Sequence, residues 1–517
     1  MKPMSLAAAF RRISGLTGLS RILGFLRDIA FAAFLGAGPA ADAFLVALKL
    51  PNMFRRLTAE GALANAFVPS FAEVRDADGS GPAMRLAGEV QTTLLLVLTG
   101  LVVIGEIMMP SVIALLAPGF VETPDRLDAA VRLARVTFPY LPMISLVAFW
   151  AALANAHDRF SAAALMPVIF NICLIAGAVL IPVYGSASAE QLVAGSPMGE
   201  RAMPLALGLL VAGVLQLVFM GAVLIRAGIM PAWYLPQLAP AARRMWRRFV
   251  TASAGAVAMQ INLIVDLVLA SLIGVGAISW LYYADRIVQL PLGVIGIALG
   301  TALLPRLSAQ FRADDLAPVR QTLADAMTFA SFFVLPASVA LVMIGPDIIT
   351  GLFRYGAFSM ADAQASGGAL AAYAIGLPGH FLVKILQPAF YADHRPGLVL
   401  GVSVAMVATN IILSLSLMPH FGHVGLALAT SISGLLAAVA LMAAALRAGY
   451  VRALPGAILQ RILACCGMMA AALAGIDLVM PTVSGVLRMA VLVGAGGAAF
   501  LTTAFVLRAV PRQLIRG

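Results

Sequence analysis

The chain is poor in charge. Asp, Glu, Lys and Arg make up only 11% of its 517 residues, against about 25% in an ordinary soluble domain. Hydrophobic types fill 62% of it and the mean hydropathy is +0.99. A water-soluble enzyme, a disordered chain and a secreted disulfide scaffold are excluded together. Cysteine is scarce as well. Cys173, Cys465 and Cys466 all lie inside apolar runs, so neither a disulfide framework nor a metal site is expected. The five histidines, His157, His380, His394, His420 and His423, are scattered without a second ligand at metal spacing. No glycine-rich Walker loop is present, which argues against ATP hydrolysis, and no cofactor or catalytic constellation is expected. No cleavable signal peptide is read at the N-terminus, where a short basic start runs straight into apolar sequence.

Long apolar runs take the place of all this. A spanning helix needs roughly 20 apolar residues, and about fourteen such stretches occur, near 14–36, 40–72, 88–116, 130–156, 160–184, 203–226, 248–273, 278–306, 321–352, 364–391, 397–418, 423–446, 457–480 and 484–508. They are too apolar for the weak alternation of an outer-membrane barrel. The expected fold is an all-α polytopic membrane protein.

Net charge is 34 − 23 = +11. The basic residues lie mostly between the apolar runs, so they report topology rather than nucleic-acid binding. With the N-terminus placed in the cytoplasm, inward segments carry 21 Lys and Arg and outward segments 6. That split obeys the positive-inside rule and puts both termini in the cytoplasm. The longest inward linker, near 228–247, carries Pro231, Pro236 and Pro240 and the cluster Arg243, Arg244, Arg247 and Arg248. The cluster reads as a topology anchor or a contact for anionic membrane lipids. The linker separates a first lobe of six helices (1–227) from a second (248–450), with a C-terminal helix pair and cytoplasmic tail at 451–517.

A faint repeat supports two lobes. Asp28 to Gly36 and Gly38 resembles Asp266 to Gly274 and Gly276, offset by 238 residues, with Leu50-Pro51 and Leu290-Pro291 following. Both copies sit on helices that start inside, so the halves form a parallel pseudo-repeat, a transporter architecture. The final two helices have no repeat partner. They suit either shelter for a lipid tail or plain extension of the bundle.

Seven basic residues fall within or beside spans: Arg21, Arg27, Lys49, Arg55, Arg56, Arg286 and Lys384. Acids at similar depth include Asp28, Asp42, Glu60, Asp266 and Asp285. A charge at mid-bilayer costs at least ~2.5–3.5 kcal/mol, so it faces a partner or a wet cavity. Arginine offers a planar fork matched to phosphate. Arg21, Arg27, Arg55 and Arg286 from both lobes therefore imply an anionic, phosphate-bearing substrate. Asp28 and Glu60 also suit ion pairs that only hold the bundle together. Asp266 suits a cation site or a structural pair, and both stay open.

The residues also resemble a known family. Ser20-Arg21-Ile-Leu-Gly24-Phe-Leu-Arg27-Asp28, Ala41-Asp42-Ala-Phe, Lys49-Leu-Pro51-Asn52-Met-Phe-Arg55-Arg56, Ala59-Glu60-Gly61-Ala62, Ala66-Phe67-Val-Pro69, Ala117-Pro118-Gly119-Phe120, Tyr282-Tyr-Ala-Asp285-Arg286 and Leu299-Gly300-Thr301-Ala-Leu-Leu304-Pro305 are similar to motifs of the MurJ (MviN) lipid II flippases of the MOP exporter superfamily. The resemblance implies two six-helix lobes plus a terminal pair forming a lipid-tail groove. It implies lipid II, the undecaprenyl-diphosphate-linked precursor of peptidoglycan, flipped across the bacterial inner membrane by alternating access. Arg21, Arg27, Arg55 and Arg286 would grip the diphosphate, with Asp28, Asp42, Glu60, Asp285 and Lys49 pairing charges or gating. Where some members carry an acid three residues after the Asp-Arg pair, this chain has Gln289. Peptidoglycan-synthesis enzymes are left open as further partners. The competing reading is a MOP-type exporter of another polyprenyl-linked saccharide or of a drug.

Overall fold

A computed structural model describes residues 6–59, 62–157, 159–182, 200–235, 237, 240–313, 315–452, 456–479 and 485–511. Glu60 lies outside the described residues, as do Lys2, Arg512 and Arg516 of the charge count. Among the described residues the only regular elements are helices: α1 (Leu6–Leu35), α2 (Pro39–Ala59), α3 (Ala62–Asp78), α4 (Ser80–Leu116), α5 (Pro124–Thr137), α6 (Tyr140–Asn155), α7 (Phe160–Val179), α8 (Met203–Arg226), α9 (Pro240–Ile273), α10 (Ala277–Phe311), α11 (Leu316–Phe353), α12 (Met360–Ala392), α13 (Pro396–Arg447), α14 (Gly456–Val479) and α15 (Val486–Val506), with two short 3-10 turns.

Every expected span falls on a helix or a helix pair. Nine stretches among the described residues are long and apolar enough to cross a membrane. Their outward faces are greasy. On α4 alone, Ile107 is 75% and Leu115 is 76% exposed, as befits side chains solvated by lipid rather than water.

The stretch near 40–72 is covered by α2 and α3 on either side of residues 60 and 61, which lie outside the described residues. The stretch near 130–156 breaks between α5 and α6, where Pro139 is the N-cap residue of α6 and has no N–H to continue the ladder. The expected spans near 397–418 and 423–446 are the two arms of α13, which meet at a sharp bend at Gly422 with φ 56 and ψ −133, a conformation open to glycine and costly for other residues.

The chain divides into two compact units, Met1–Gly276 and Ala277–Gly517. In the first, α1 packs on α7, α7 and α6 on α8, and α2 on α5. Its core is aromatic: Phe31 meets Phe44 edge-on with centroids 5.6 Å apart, and Phe67 meets Phe149 at 4.7 Å. Helix α9 joins this unit by packing on α3, where Arg248 Nη1 donates to Ser70 Oγ and Glu73 Oε1, both at 3.0 Å. The linker lies along α4. Gln91 Nε2 donates to the Pro231 carbonyl at 3.0 Å and Arg85 Nη2 to Gln237 Oε1 at 2.8 Å.

In the second unit α12 is central, packed against α10, α11 and α13. The approach to α13 is close because α12 presents Gly376 and Gly379. A Cβ there would stand 2.5 Å from Ser431 Cα and 2.8 Å from Leu435 Cα respectively, so only glycine admits the contact. A capping box of Ser359 and Asp362 starts α12. The terminal helices α14 and α15 pack on each other and on α11. Arg488 of α15 fastens them, donating to Asp347 of α11 at 2.7 Å and also to Asp477 of α14.

Candidate functional site

In the first unit, the packing of α1 on α7 sets the site. Arg27 sits on α1 next to Asp28. Its Nε and Nη2 donate to Asp28 Oδ1 at 3.1 and 2.7 Å, and its Nη1 donates to Asn171 Oδ1 of α7 at 3.0 Å. Asn171 Nδ2 in turn donates to the Ser20 carbonyl at 3.1 Å. The guanidinium also faces the Phe31 and Phe170 rings at 5.6 and 5.7 Å. Both side chains of the ion pair are largely shielded, with Arg27 11% and Asp28 4% exposed. Hydrogen bonds to charged groups contribute roughly 1.5–3 kcal/mol each. A set of three is enough to offset the cost of the arginine at this depth.

This arginine lines a cavity of about 430 Å³ to which six helices contribute. Gly24 and Arg27 come from α1, Arg55 from α2, Ala64 from α3, Tyr140, Ile144, Val147, Ala148, Ala151, Ala152 and Asn155 from α6, Ala163, Met166, Pro167, Phe170 and Asn171 from α7, and Gln216 from α8. Two cations thus face one chamber. Arg55 is half-buried and its Nε donates to Asn52 Oδ1 at 3.4 Å. Polar groups stud the opposite walls. Tyr140 Oη donates to Gln216 Oε1 at 3.2 Å, and the buried Asn155 Oδ1 has no hydrogen-bond partner among the described residues. Such a chamber can meet an anion with its two guanidinium groups and offer the Asn155 carbonyl oxygen to a hydroxyl or amide group of the same ligand.

The other expected residues lie elsewhere. Arg21 is exposed on α1 and does not line this cavity, while Lys49 is half-buried on α2. Asp42 is fully buried away from the chamber and accepts from Arg126 Nη2 at 3.0 Å and from the Gly276 N–H at 2.7 Å. Asp42 and Arg126 are 0% and 4% exposed, a buried pair tying α2 to α5. Arg126 also stacks on Phe120 at 4.2 Å. Asp266 on α9 accepts from Asn262 at 3.2 Å. No cluster of three or more His, Cys, Asp or Glu side chains arranged to hold a metal occurs among the described residues.

In the second unit, Arg286 of α10 donates to Tyr282 Oη at 3.3 Å and to Gln289 Oε1 at 3.5 Å, and its guanidinium lies 4.7 Å from the Tyr282 ring centroid. Gln289 donates in turn to Asp285. Gln289 thus serves as a neutral bridge between Asp285 and Arg286. A second cavity in this unit, about 200 Å³, is almost wholly apolar, lined by Met327, Ala330, Ser331, Val334 and Leu335 of α11, Pro378, Phe381, Leu382 and Ile385 of α12, and Leu459 of α14.

Sequence reading missed Arg126, which was counted with the outward-facing charges, and it missed Asn155, Asn171 and Gln216. The amides had a legible signature, since each is a polar side chain inside an otherwise apolar run. The partner of Asp42 had none, because Arg126 is 84 residues away.

The family model described as "Lipid II flippase MurJ" matches residues 31–493. The chain belongs to the MurJ family. Proteins named "Probable lipid II flippase MurJ" in Rhizobium tropici and Rhizobium meliloti (strain 1021) are 38% identical over 449 residues and 39% identical over 451 residues, in each case 86% of this chain and 82% of the relative. The lipid II flippase MurJ of Burkholderia cenocepacia is 31% identical over 463 residues, 88% of this chain and 86% of that one. Among solved structures, a MurJ flippase in an inward closed conformation superposes with a TM-score of 0.80 at 24% identity, covering 98% of this chain and 99% of the other. An inward-facing multidrug transporter of the MATE family, in the MOP superfamily, reaches 0.64 at 16% identity, covering 83% and 94%. At these identities the structural likeness speaks for the fold: MurJ and MOP exporters share this all-helical architecture.

Proposed function

We propose that this chain flips lipid II from the inner to the outer leaflet of the bacterial cytoplasmic membrane. It acts as a transporter and not as an enzyme. The observation that carries the reading is the chamber with Arg27 and Arg55 on its wall, in a chain of the MurJ family. A diphosphate supplies the charge such a wall binds. The polar head needs a wet route through a hydrocarbon core about 30 Å thick, while the polyprenyl tail stays in lipid.

Four arginines then share the headgroup. Arg27 and Arg55 hold it from the first lobe, Arg286 from the second, and Arg21 lies two turns before Asp28 on α1. Asp28 orients Arg27, Asp285 orients Arg286 through Gln289, and Asp42, Glu60 and Lys49 pair charges as the cavity changes access. The lobes 1–227 and 248–450 rock about the linker, with both termini in the cytoplasm. Enzymes of peptidoglycan synthesis supply the cargo on one side and consume it on the other. A drug exporter would want an acidic, aromatic pocket for cations, and the two guanidinium groups of this chamber favour an anionic cargo instead.

The test is translocation of fluorescent lipid II in vesicles holding the purified chain, read by a quencher confined to one leaflet. Label should cross in the presence of the chain. Movement no faster than in protein-free vesicles would sink the proposal.

A further inference from the structure

Lys384 has no place in the account so far, yet it sits inside a membrane-spanning helix. It lies on α12, eight residues before the helix ends at Ala392, about 12 Å from that end at 1.5 Å per residue. The side chain is exposed, and among the described residues it forms no hydrogen bond or ion pair. A cation at such depth is costly unless water or an anion meets it.

Its neighbours along the helix are polar on one side. On α12, Tyr373, His380, Lys384, Gln387 and Tyr391 recur at steps of 7, 4, 3 and 4 residues. At 100° per residue they share one stripe about 60° wide. His380 packs on Gly434 of α13, where a Cβ would stand 2.5 Å from its Cε1, the other four are half-buried or exposed, and the helix is apolar elsewhere along this stretch. On α10, Asp285, Gln289 and Gly296 likewise share a face, at steps of 4 and 7. The two stripes meet where Lys384 lies against Gly296. A Cβ at Gly296 would stand 3.3 Å from Lys384 Nζ and 3.4 Å from its Cδ. The missing side chain thus leaves a bed for the lysine. The lysine chain crosses to α10 instead of running along α12 to the interface, so snorkelling does not explain its pose.

Gly296 is seven residues past Gln289, about 10 Å along α10. Lys384 is therefore too far from the Arg286–Gln289–Asp285 group to share one phosphate with it. We propose that Lys384 forms a second anion-binding station in this unit, which takes an anionic group of the flipped lipid's head at a point distinct from Arg286. The station rests on the flippase reading above. Two groups of that head have the right chemistry, the diphosphate in passage and a carboxylate of the peptide.

The experiment measures binding of lipid II and of bare undecaprenyl diphosphate to the full chain in nanodiscs. Lys384→Gln should weaken lipid II about tenfold, the scale of one charge-assisted contact, while Lys384→Arg should stay close to wild type. Equal loss for both probes assigns the diphosphate, and loss confined to lipid II assigns the peptide carboxylate. Lys384→Gln within twofold of wild type for both probes overturns the station alone. A wild-type chain that binds neither probe overturns the flippase reading and the station with it. Lys384→Cys gives a second readout, since Cys173, Cys465 and Cys466 are buried and contribute little background. A charged, water-soluble thiol reagent should label it, more slowly with lipid II present. A folded Lys384→Cys chain that resists the reagent also overturns the proposal.

Discussion

The two cavities of this molecule differ in kind. That of the first unit is about 430 Å³ and carries Arg27, Arg55, Asn155, Asn171 and Gln216 on its walls. That of the second is about 200 Å³ and offers hardly a polar atom beyond Ser331. A cavity walled by guanidinium and amide groups suits a charged, hydroxylated ligand, and one walled by aliphatic and aromatic carbon suits a hydrocarbon chain. The contrast matches the two halves of an amphiphilic cargo, a diphosphate sugar and a polyprenyl tail. On the flippase reading proposed above, charge rather than volume separates the two cavities.

The sharpest way to break this contrast is to neutralise the polar cavity without emptying it. Arg27→Gln alone leaves Asp28 buried without its partner, and removing one member of a buried pair costs about 3–5 kcal/mol. The double variant Arg27→Gln/Asp28→Asn keeps the shape and the capacity for hydrogen bonds. It should fold, and lipid II translocation in vesicles should fall at least about 100-fold, because a neutral wall no longer binds the diphosphate. Translocation near the wild-type rate would remove Arg27 from the site.

Charge bonded within the helix packing, off the cavity wall, should behave otherwise. Asp42 bonds Arg126 and the Gly276 N–H, outside either cavity. Asp42→Ala should lower unfolding stability by about 3–5 kcal/mol. Replacing Arg126 by Met in the same chain should recover part of the loss, because the orphaned cation is gone. A double-mutant cycle followed by thermal unfolding in detergent measures the coupling, and additive losses would deny it.

The apolar cavity is tested by filling it. Ala330→Trp should weaken binding of undecaprenyl-tailed cargo about tenfold, a loss of roughly 1.4 kcal/mol, while sparing an analogue with a short tail. Equal weakening of both would show that the cavity takes no part in holding the tail. The smallest effect lies outside the spans, at Tyr450, whose phenol donates to Asp393. Burial, reinforced by the bond to the Asp393 carboxylate, raises its pKa above the ordinary tyrosine value. The neutral phenol therefore stabilises the fold throughout the physiological range, and this contribution is lost only as pH rises through the raised value. Tyr450→Phe should cost about 1 kcal/mol at every pH from 5 to 9, and a loss that varied across that range would contradict the assignment.

Much of the polar cavity could be read from one dimension. Arg27, Asp28 and Arg55 stood out because charge is rare in apolar runs, and Asn171 and Gln216 carried the same mark unread. Spans were legible because one apolar helix in lipid needs no neighbour to be recognised. Helix breaks were less so. Pro139 interrupts α5 and α6, whereas Pro51, Pro110 and Pro167 sit inside continuous helices, and the choice depends on whether neighbouring groups satisfy the freed carbonyls. The pairing of Asp42 with Arg126 was out of reach, since helix packing decides which distant cation meets a buried acid.

Leu459 is the single residue that α14 contributes to the apolar cavity. It closes a slot whose other walls belong to α11 and α12. The terminal pair has no counterpart in the sequence repeat and is pinned by Arg488 to Asp347 of α11. A chain cut before residue 456 would thus keep its headgroup chamber whole and leave the slot open along one side. On the flippase reading, tail selectivity would then be a separable module, removable without touching the arginines proposed to hold phosphate.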